Sequence, residues 1–290
     1  MEISANMVKE LRESTGAGMM DCKKALQEAN GDMQKAVDIL REKGLGKAAK
    51  KADRIAAEGL AAILVEGNTA AIVEVNSETD FVAKNQEFVN LVKTIASTII
   101  DNNVSTVEEA LKLKAGENTL EELIIDKTSK IGEKISFRRF EIVEKEDTEV
   151  FGTYSHMGGK IAVLTRLTSN EEVAKDVAMQ AAAMRPLYLT REDVPSEVLE
   201  KERTILKEQA ENEGLDSSKI DMIVNGRINK YYEEVCLIDQ PFIKENKQKV
   251  SKYVESNGSK IISFTRYEVG EGMEKREENF AEEVMKQING

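Results

Sequence analysis

The side chains able to do covalent chemistry in this 290-residue chain are few and scattered. His156 is the only histidine, and the two cysteines, Cys22 and Cys236, stand far apart with no Cys-x-x-Cys or histidine-rich spacing around either. A nucleophile needs a base within hydrogen-bond reach, and a structural zinc needs four convergent ligands. Neither requirement finds its residues here. A lone histidine one residue before a hairpin turn reads as structural or solvated. The run Thr15-Gly16-Ala17-Gly18 invites a phosphate-loop reading, because glycines precede a helix N-terminus. No strand leads into it, however, and "GMMDCKK" lacks the Walker spacing. The expectation is a chain with no catalytic residues, no cofactor and no metal.

Two stretches point instead to contact with a partner. After the Thr-Gly-Ala-Gly break come Met19 and Met20, adaptable apolar side chains at a loop-to-helix junction. Adjacent helical residues do not easily both face inward, so each is weighed between bundle core and surface. The second stretch is "SETDFVAKN", residues 77–85, where Asp80 and Phe81 sit at a polar corner between "AAIVEV" and "QEFVNLVKTIA". A plain helix start would explain it: Ser77 and Asp80 have capping-box spacing, with Phe81 as a packing staple. The functional alternative is a projecting turn, with Phe81 as a wedge and Asp80 as a placed negative charge.

The elements that must position these residues can be read from pattern. Residues 1–45 give three short helices, a ubiquitin-associated-type bundle. Ser4 caps the first, whose Met7, Val8 and Leu11 form one stripe; Asn30-Gly31 ends the second; Asp32 caps the third, which stops at Gly44. A basic, alanine-rich linker, expected to be helical, fills 46–57. Beyond it the chain repeats itself. Ser136, Phe137, Arg139, Phe140 and Glu141 return at one constant offset as Ser263, Phe264, Arg266, Tyr267 and Glu268. Upstream of each set lies a strand, a two-residue turn (Gly67-Asn68 or Gly158-Gly159) and a second strand, followed by a helix. The reading is two duplicated α+β subdomains with small antiparallel sheets, 58–145 and 146–270. The second carries an inserted antiparallel helical hairpin at 187–250, entered between Pro186 and Pro195. A helical module with Phe280, Val284, Met285 and Ile288 on one side closes the chain at 271–290.

The duplicate tests the Asp-Phe corner. "IVEVNSE" matches "VLTRLTS", and Asn85 with Glu87 matches Asn170 with Glu172, leaving "TDFVAK" as an insert. An ungapped rival places Asp80 and Phe81 opposite Glu171 and Glu172. In both alignments the pair exists once, so the repeated fold does not require it.

Composition bounds the partners. With a formal charge of −12, 41% hydrophobic and 32% charged residues and no tryptophan, the chain suits a water-soluble protein that docks through selected patches. General affinity for nucleic acid or an anionic membrane is disfavoured, because phosphate is repelled at long range. No apolar run is long enough to span a bilayer, and "MEISANMVKELRE" lacks the order of a signal peptide, so a cytoplasmic protein with reduced thiols is expected.

The stretches "VKELRESTGAGMMDCKKALQEANGDMQKAVDILREKG", "VNSETDFVAKNQEF" and "NKYYEEVCLIDQPFIK" closely resemble bacterial elongation factor Ts, and the resemblance extends over the whole chain. It implies a guanine-nucleotide exchange factor that binds elongation factor Tu and promotes GDP release. It also implies roles for residues. Thr79, Asp80, Phe81, Val82 and Ala83 match the family turn that intrudes beside the nucleotide's Mg²⁺ site. Leu11, Arg12, Thr15, Gly16, Ala17, Gly18, Met19 and Met20 match the contact with the GTPase domain. His156, with Met157 and Gly158, falls in a contact of the second subdomain. A binding adaptor, with the three-helix bundle as recognition module and the core as scaffold, is the runner-up. It gives the Asp-Phe insert no task. An enzyme ranks third.

Overall fold

The computed structural model describes residues 3–15, 17–102 and 104–274. Its internal contacts group Met1–Leu64, Val73–Ile142 and Glu268–Gly290 as one unit, and Val65–Ile72 with Val143–Tyr267 as a second. Gly16 lies outside the described residues, as do residues 275–290, which hold Phe280, Val284, Met285 and Ile288 of the helical module expected at 271–290.

The first unit opens with α1 (Ala5–Thr15), α2 (Met19–Glu28) and α3 (Met33–Ala49). Their ends carry the expected caps. The Met7 N–H donates to Ser4 Oγ at 3.3 Å, and the Lys35 N–H donates to the Asp32 carboxylate at 3.0 Å. After α2, Asn30 and Gly31 take positive φ (53° and 85°), which lets the Gly31 N–H reach back to the Leu26 carbonyl at 2.8 Å. Val8, Leu11, Cys22, Ala25, Leu26, Ala29 and Ala36 make a thin core between the three helices.

The chain continues with β1 (Glu58–Glu66), β2 (Thr69–Ser77), α4 (Asp80–Ala83), α5 (Gln86–Ile100) and α6 (Val107–Leu111). Then follow the short strands β3 (Lys114–Ala115) and β4 (Asn118–Thr119), α7 (Leu120–Ile131) and β5 (Ser136–Glu144). The large strands form a sheet in the order β1-β2-β5. Gly67 (φ 58°) opens the two-residue turn between β1 and β2, as the sequence predicts. Two expectations change here. Instead of stopping at Gly44, α3 runs on to Ala49, because it packs along α7 and tertiary contact outweighs the low helix propensity of Gly44 and Gly46. In turn α7, unforeseen in the sequence, is launched by a capping box in which Thr119 and Glu122 bond each other's backbone, and ends at left-handed Gly132 (φ 89°).

The second unit contains β6 (Val150–His156), β7 (Ile161–Leu167), α8 (Glu171–Met184), α9 (Ser196–Asn212) and α10 (Ile220–Val235). It ends with β8 (Pro241–Phe242), β9 (Glu245–Lys249), α11 (Val250–Ser256) and β10 (Ile261–Glu268). The sheet order is β10-β7-β6, with β6 and β7 antiparallel. Ile161, Val163, Leu167, Val173, Val177, Leu237, Phe242, Val250 and Ile261 share its core. The hairpin turn differs from expectation. It spans four residues, Met157 to Lys160, since His156 pairs with Ile161, and Met157, Gly158 and Gly159 all take positive φ. Helices α9 and α10 pack on each other through Ala210, Ile220, Val224 and Ile228.

The fold is mixed α+β with small antiparallel sheets, and the repeat is visible in its topology. In each sheet the third strand, β5 or β10, lies beside the second strand of the hairpin. The residues repeated in sequence therefore occupy corresponding strands.

Candidate functional site

The corner between β2 and α5 is built from the backbone outward. Thr79 (φ −129°, ψ 157°) leaves the strand and caps the one-turn helix α4, its hydroxyl accepting from the Val82 N–H at 3.4 Å. The cap is thus Thr79. The Ser77 hydroxyl, which sequence spacing nominated, donates to the Thr79 carbonyl at 2.9 Å. Val82 turns inward and is buried, anchoring the turn, while Ala83 is half-buried. Phe81 points the other way and is 81% exposed. A staple would be covered, so that reading fails. Asp80 pairs with Lys84 one turn on, at 2.7 Å.

The turn is tied from below by the residues just after α7. Glu133 receives two bonds from Thr79, from its N–H at 3.0 Å and its hydroxyl at 2.7 Å. One step along, the Lys134 N–H donates to Glu78 at 2.6 Å, and Arg54 reaches the same carboxylate at 3.2 Å. An open hollow of about 520 Å³ lies beside the ring, lined by Phe81, Val82, Asn85, Glu87, Lys127, Lys130 and Ile131. On its wall Lys127 donates to Glu87 at 3.0 Å, and that bond holds the Glu87 carboxyl below its usual range.

The structure also decides between the two internal alignments. Asn85 caps α5 by accepting from Glu87, and Asn170 caps α8 by accepting from Val173. Superposing the caps puts buried Phe88, Leu91, Val92, Ile95 and Ala96 on Val173, Asp176, Val177, Gln180 and Ala181, which are buried too. The ungapped rival would place buried Val92 on exposed Ala183. Thr79 to Lys84 are therefore an insertion at one of two equivalent corners.

The other nominated residues are distributed as follows. Met19 (58%) and Met20 (62%) are both exposed at the start of α2, beside exposed Arg12 and Gly18 and half-buried Thr15 and Ala17. Leu11 departs from this group. It is fully buried among α1, α2 and α3, so it supports the patch from beneath and has no surface of its own to offer. The Thr15 hydroxyl donates to the Leu11 carbonyl at 2.6 Å and accepts from Ala17 N–H at 3.3 Å, fixing the break between the helices. In the second unit His156, Met157 and Gly158 are exposed at the β6–β7 turn, and the His156 ring stacks on Tyr154 with a 3.3 Å contact to its hydroxyl.

Sequence reasoning did not find Glu133, Glu78 or Lys127. The capping box at Thr119 and Glu122 was the available signal, since it predicts α7 and places Glu133 just past its end.

Both cysteines are free and buried. Burial, with the Asp239 charge adding to it, pushes the Cys236 thiol up to about 11, far from a reactive thiolate. Among the described residues no helix is long and apolar enough to cross a membrane.

A corner that presents an uncovered aromatic ring, and exposed methionines at the start of α2, suit a protein that works by touching another macromolecule. A family model described as elongation factor TS matches residues 78–271, more than half of the chain, and the chain belongs to the elongation factor Ts family. It is accordingly a translation elongation factor of the kind that promotes nucleotide exchange on elongation factor Tu. The match begins at Glu78 and takes in the corner, both third strands and the α9–α10 insertion.

Proposed function

We propose that the chain accelerates GDP release from elongation factor Tu in the cytoplasm by driving the Thr79–Ala83 turn against the Mg²⁺ and phosphate region of the GTPase. The observation that carries this reading is Phe81, 81% exposed on a one-turn helix that the duplicate subdomain lacks. An exchange factor must bind its GTPase more tightly when nucleotide is absent, so factor and nucleotide weaken each other reciprocally. A ring inserted among switch or phosphate-loop elements achieves this, because its contacts exist only when those elements are displaced. Mg²⁺ is held by few protein ligands together with phosphates and waters, so a displaced backbone disturbs its shell.

In this reading Phe81 outranks Asp80. Lys84 already neutralises part of the Asp80 charge at 2.7 Å, and the pair is solvent-exposed and therefore screened. The ubiquitin-associated-type bundle adds affinity through Met19, Met20 and Arg12, and the β6–β7 turn with His156, Met157 and Gly158 makes a second contact. Leu11 serves only by holding the bundle in shape.

Stopped-flow release of fluorescent GDP from elongation factor Tu tests the ranking. Phe81→Ala lowers the maximum release rate by roughly tenfold or more, and Asp80→Ala by about threefold. An equal or larger loss for Asp80→Ala rejects the ranking. Full activity of both variants rejects the wedge. Wild-type protein at substoichiometric amounts must also accelerate release catalytically, which an adaptor would not do.

A further inference from the structure

We infer that Glu133 is the positioning residue of this exchange factor, holding Phe81 outward through Thr79; the inference rests on the wedge reading above. A carboxylate only accepts hydrogen bonds. Glu133 therefore fixes the direction of the Thr79 hydroxyl: its proton goes to Glu133 at 2.7 Å, and a lone pair is left for the Val82 N–H that starts α4. The second carboxylate oxygen takes the Thr79 N–H at 3.0 Å, so the cap residue is gripped at two points. The neighbouring bond from Lys134 N–H to Glu78 at 2.6 Å runs in the opposite sense, interlocking the two segments. Gly132 (φ 89°) supplies the left-handed step that brings Glu133 off the end of α7 to this place.

The duplicate ties its own corner from the same side. Its β7–α8 corner is tied by the residues just before β10, as the first corner is tied by those just before β5. There Ser259 donates to the Ser169 carbonyl at 2.6 Å and accepts from the Ser169 N–H at 3.3 Å, while Lys260 N–H donates to Thr168 at 3.0 Å. At the constant offset of the repeat Ser259 matches Gly132 and Lys260 matches Glu133, so the side-chain brace of the first corner comes from the next position along, where an acidic side chain reaches the inserted turn. The open hollow beside Phe81 makes the brace matter, since an unbraced α4 has space toward Lys127 and Ile131 into which the ring can fold.

A residue acting this way changes how well bound factor expels GDP and leaves the remaining contacts in place. Glu133→Ala lowers the maximum release rate about fivefold with the half-saturating concentration changed less than twofold. Glu133→Gln keeps one acceptor and loses about twofold, and Thr79→Val, which keeps the N–H bond, resembles it. Combined with Phe81→Ala, Glu133→Ala adds nothing further, because both remove the same wedge. Rates are normalised to the folded fraction from a circular-dichroism melt; should Glu133→Ala not fold, Glu133→Gln alone and with Phe81→Ala gives the same comparison. Wild-type maximum rate in the Glu133 variants, or losses that multiply in the double variant, overturns the inference. A Phe81→Ala protein with full activity overturns the wedge reading itself, so the two failures are distinguishable.

Discussion

Where each hairpin hands over to its helix, the two subdomains solve one problem twice. The second corner passes from β7 to α8 through Thr168, Ser169 and Asn170, and the quick reversal leaves Asn170 at φ 70°, ψ 90°. The first spends Thr79 to Lys84 on an extra helical turn, and its capping Asn85 relaxes to φ −70°, ψ 132°. The compact corner carries local backbone strain and exposes nothing apolar of note. The expanded one is relaxed in backbone but holds a phenylalanine in water, against the usual direction of apolar burial. The difference separates what the fold needs from what the function needs: the compact corner proves that the sheet and helix can be joined without the turn.

The largest effect should come from making the first corner copy the second. Deleting 79–84 joins Glu78 to Asn85 and removes Phe81, Asp80 and the Glu133 brace together. The stability cost centres on buried Val82, roughly 1.5–3 kcal/mol, below the roughly 5–15 kcal/mol of an ordinary domain. The expected outcome is a protein with native far-UV circular dichroism and a GDP-release rate lowered roughly 100-fold or more. A folded deletion variant that releases GDP within tenfold of wild type would break the comparison, because the insert would then serve neither fold nor function.

A second contrast lies one layer deeper. Glu74 and Thr165 hold matching places in β2 and β7, and both are fully buried. Thr165 donates to the Ala174 carbonyl at 2.8 Å, a neutral bond between sheet and helix. Glu74 instead receives Arg138 at 3.0 Å, Arg139 at 2.6 Å, Asn76 at 3.1 Å and the Gly270 N–H at 2.9 Å. Burial works to raise its pKa, but the Gly270 and Asn76 bonds and the Arg139 charge outweigh it, so the carboxyl lies below its usual range. A folded pKa depressed below the unfolded value contributes stability that is complete above about pH 4.5 and is lost as pH falls through the folded pKa. Glu74→Gln should therefore cost about 3 kcal/mol at neutral pH, since Arg138 and Arg139 lose the buried charge they share. In urea melts that gap should narrow in acid. Thr165→Val should cost about 1 kcal/mol with no such pH dependence. Parallel pH profiles for the two variants would show that Glu74 is not the charged anchor the geometry describes.

Legibility in the sequence followed the range of the interactions. The repeat around Ser136 and Ser263 was readable because strand patterning is local, and the caps at Ser4, Asp32 and Asn30-Gly31 were readable for the same reason. The projection of Phe81 could be framed as one of two alternatives, but burial had to choose between them. The end of α3 was misplaced because Gly44 and Gly46 look like a stop, and only packing along α7 shows why they are not. Leu11 was grouped with surface residues by motif, although its own helical stripe with Val8 faces the core. The strands β8 and β9 are too short and too charged to give a period-two signal. Glu133 was beyond reach, since it meets Thr79 across 54 positions and nothing local marks the pairing.

The smallest effect tests the strain argument itself. Each capping asparagine accepts one bond from its helix through Oδ1: Asn85 from the Glu87 N–H at 2.8 Å, Asn170 from the Val173 N–H at 3.3 Å. If the corners differed only in cap quality, alanine would cost about 1 kcal/mol at each. The left-handed φ at 170 adds a penalty of roughly 1–2 kcal/mol for any residue with a Cβ that has no local bond to offset it. Asn170→Ala should therefore destabilise about twice as much as Asn85→Ala. Glycine should erase the difference. At 170 it loses the cap but fits the positive φ, and at 85 it loses only the cap, so both changes should lie within a few tenths of a kcal/mol. Equal alanine and glycine costs at 170, measured by urea midpoint, would mean that the compact corner is not strained. The relaxed backbone of the expanded corner would then be incidental to the turn that carries Phe81.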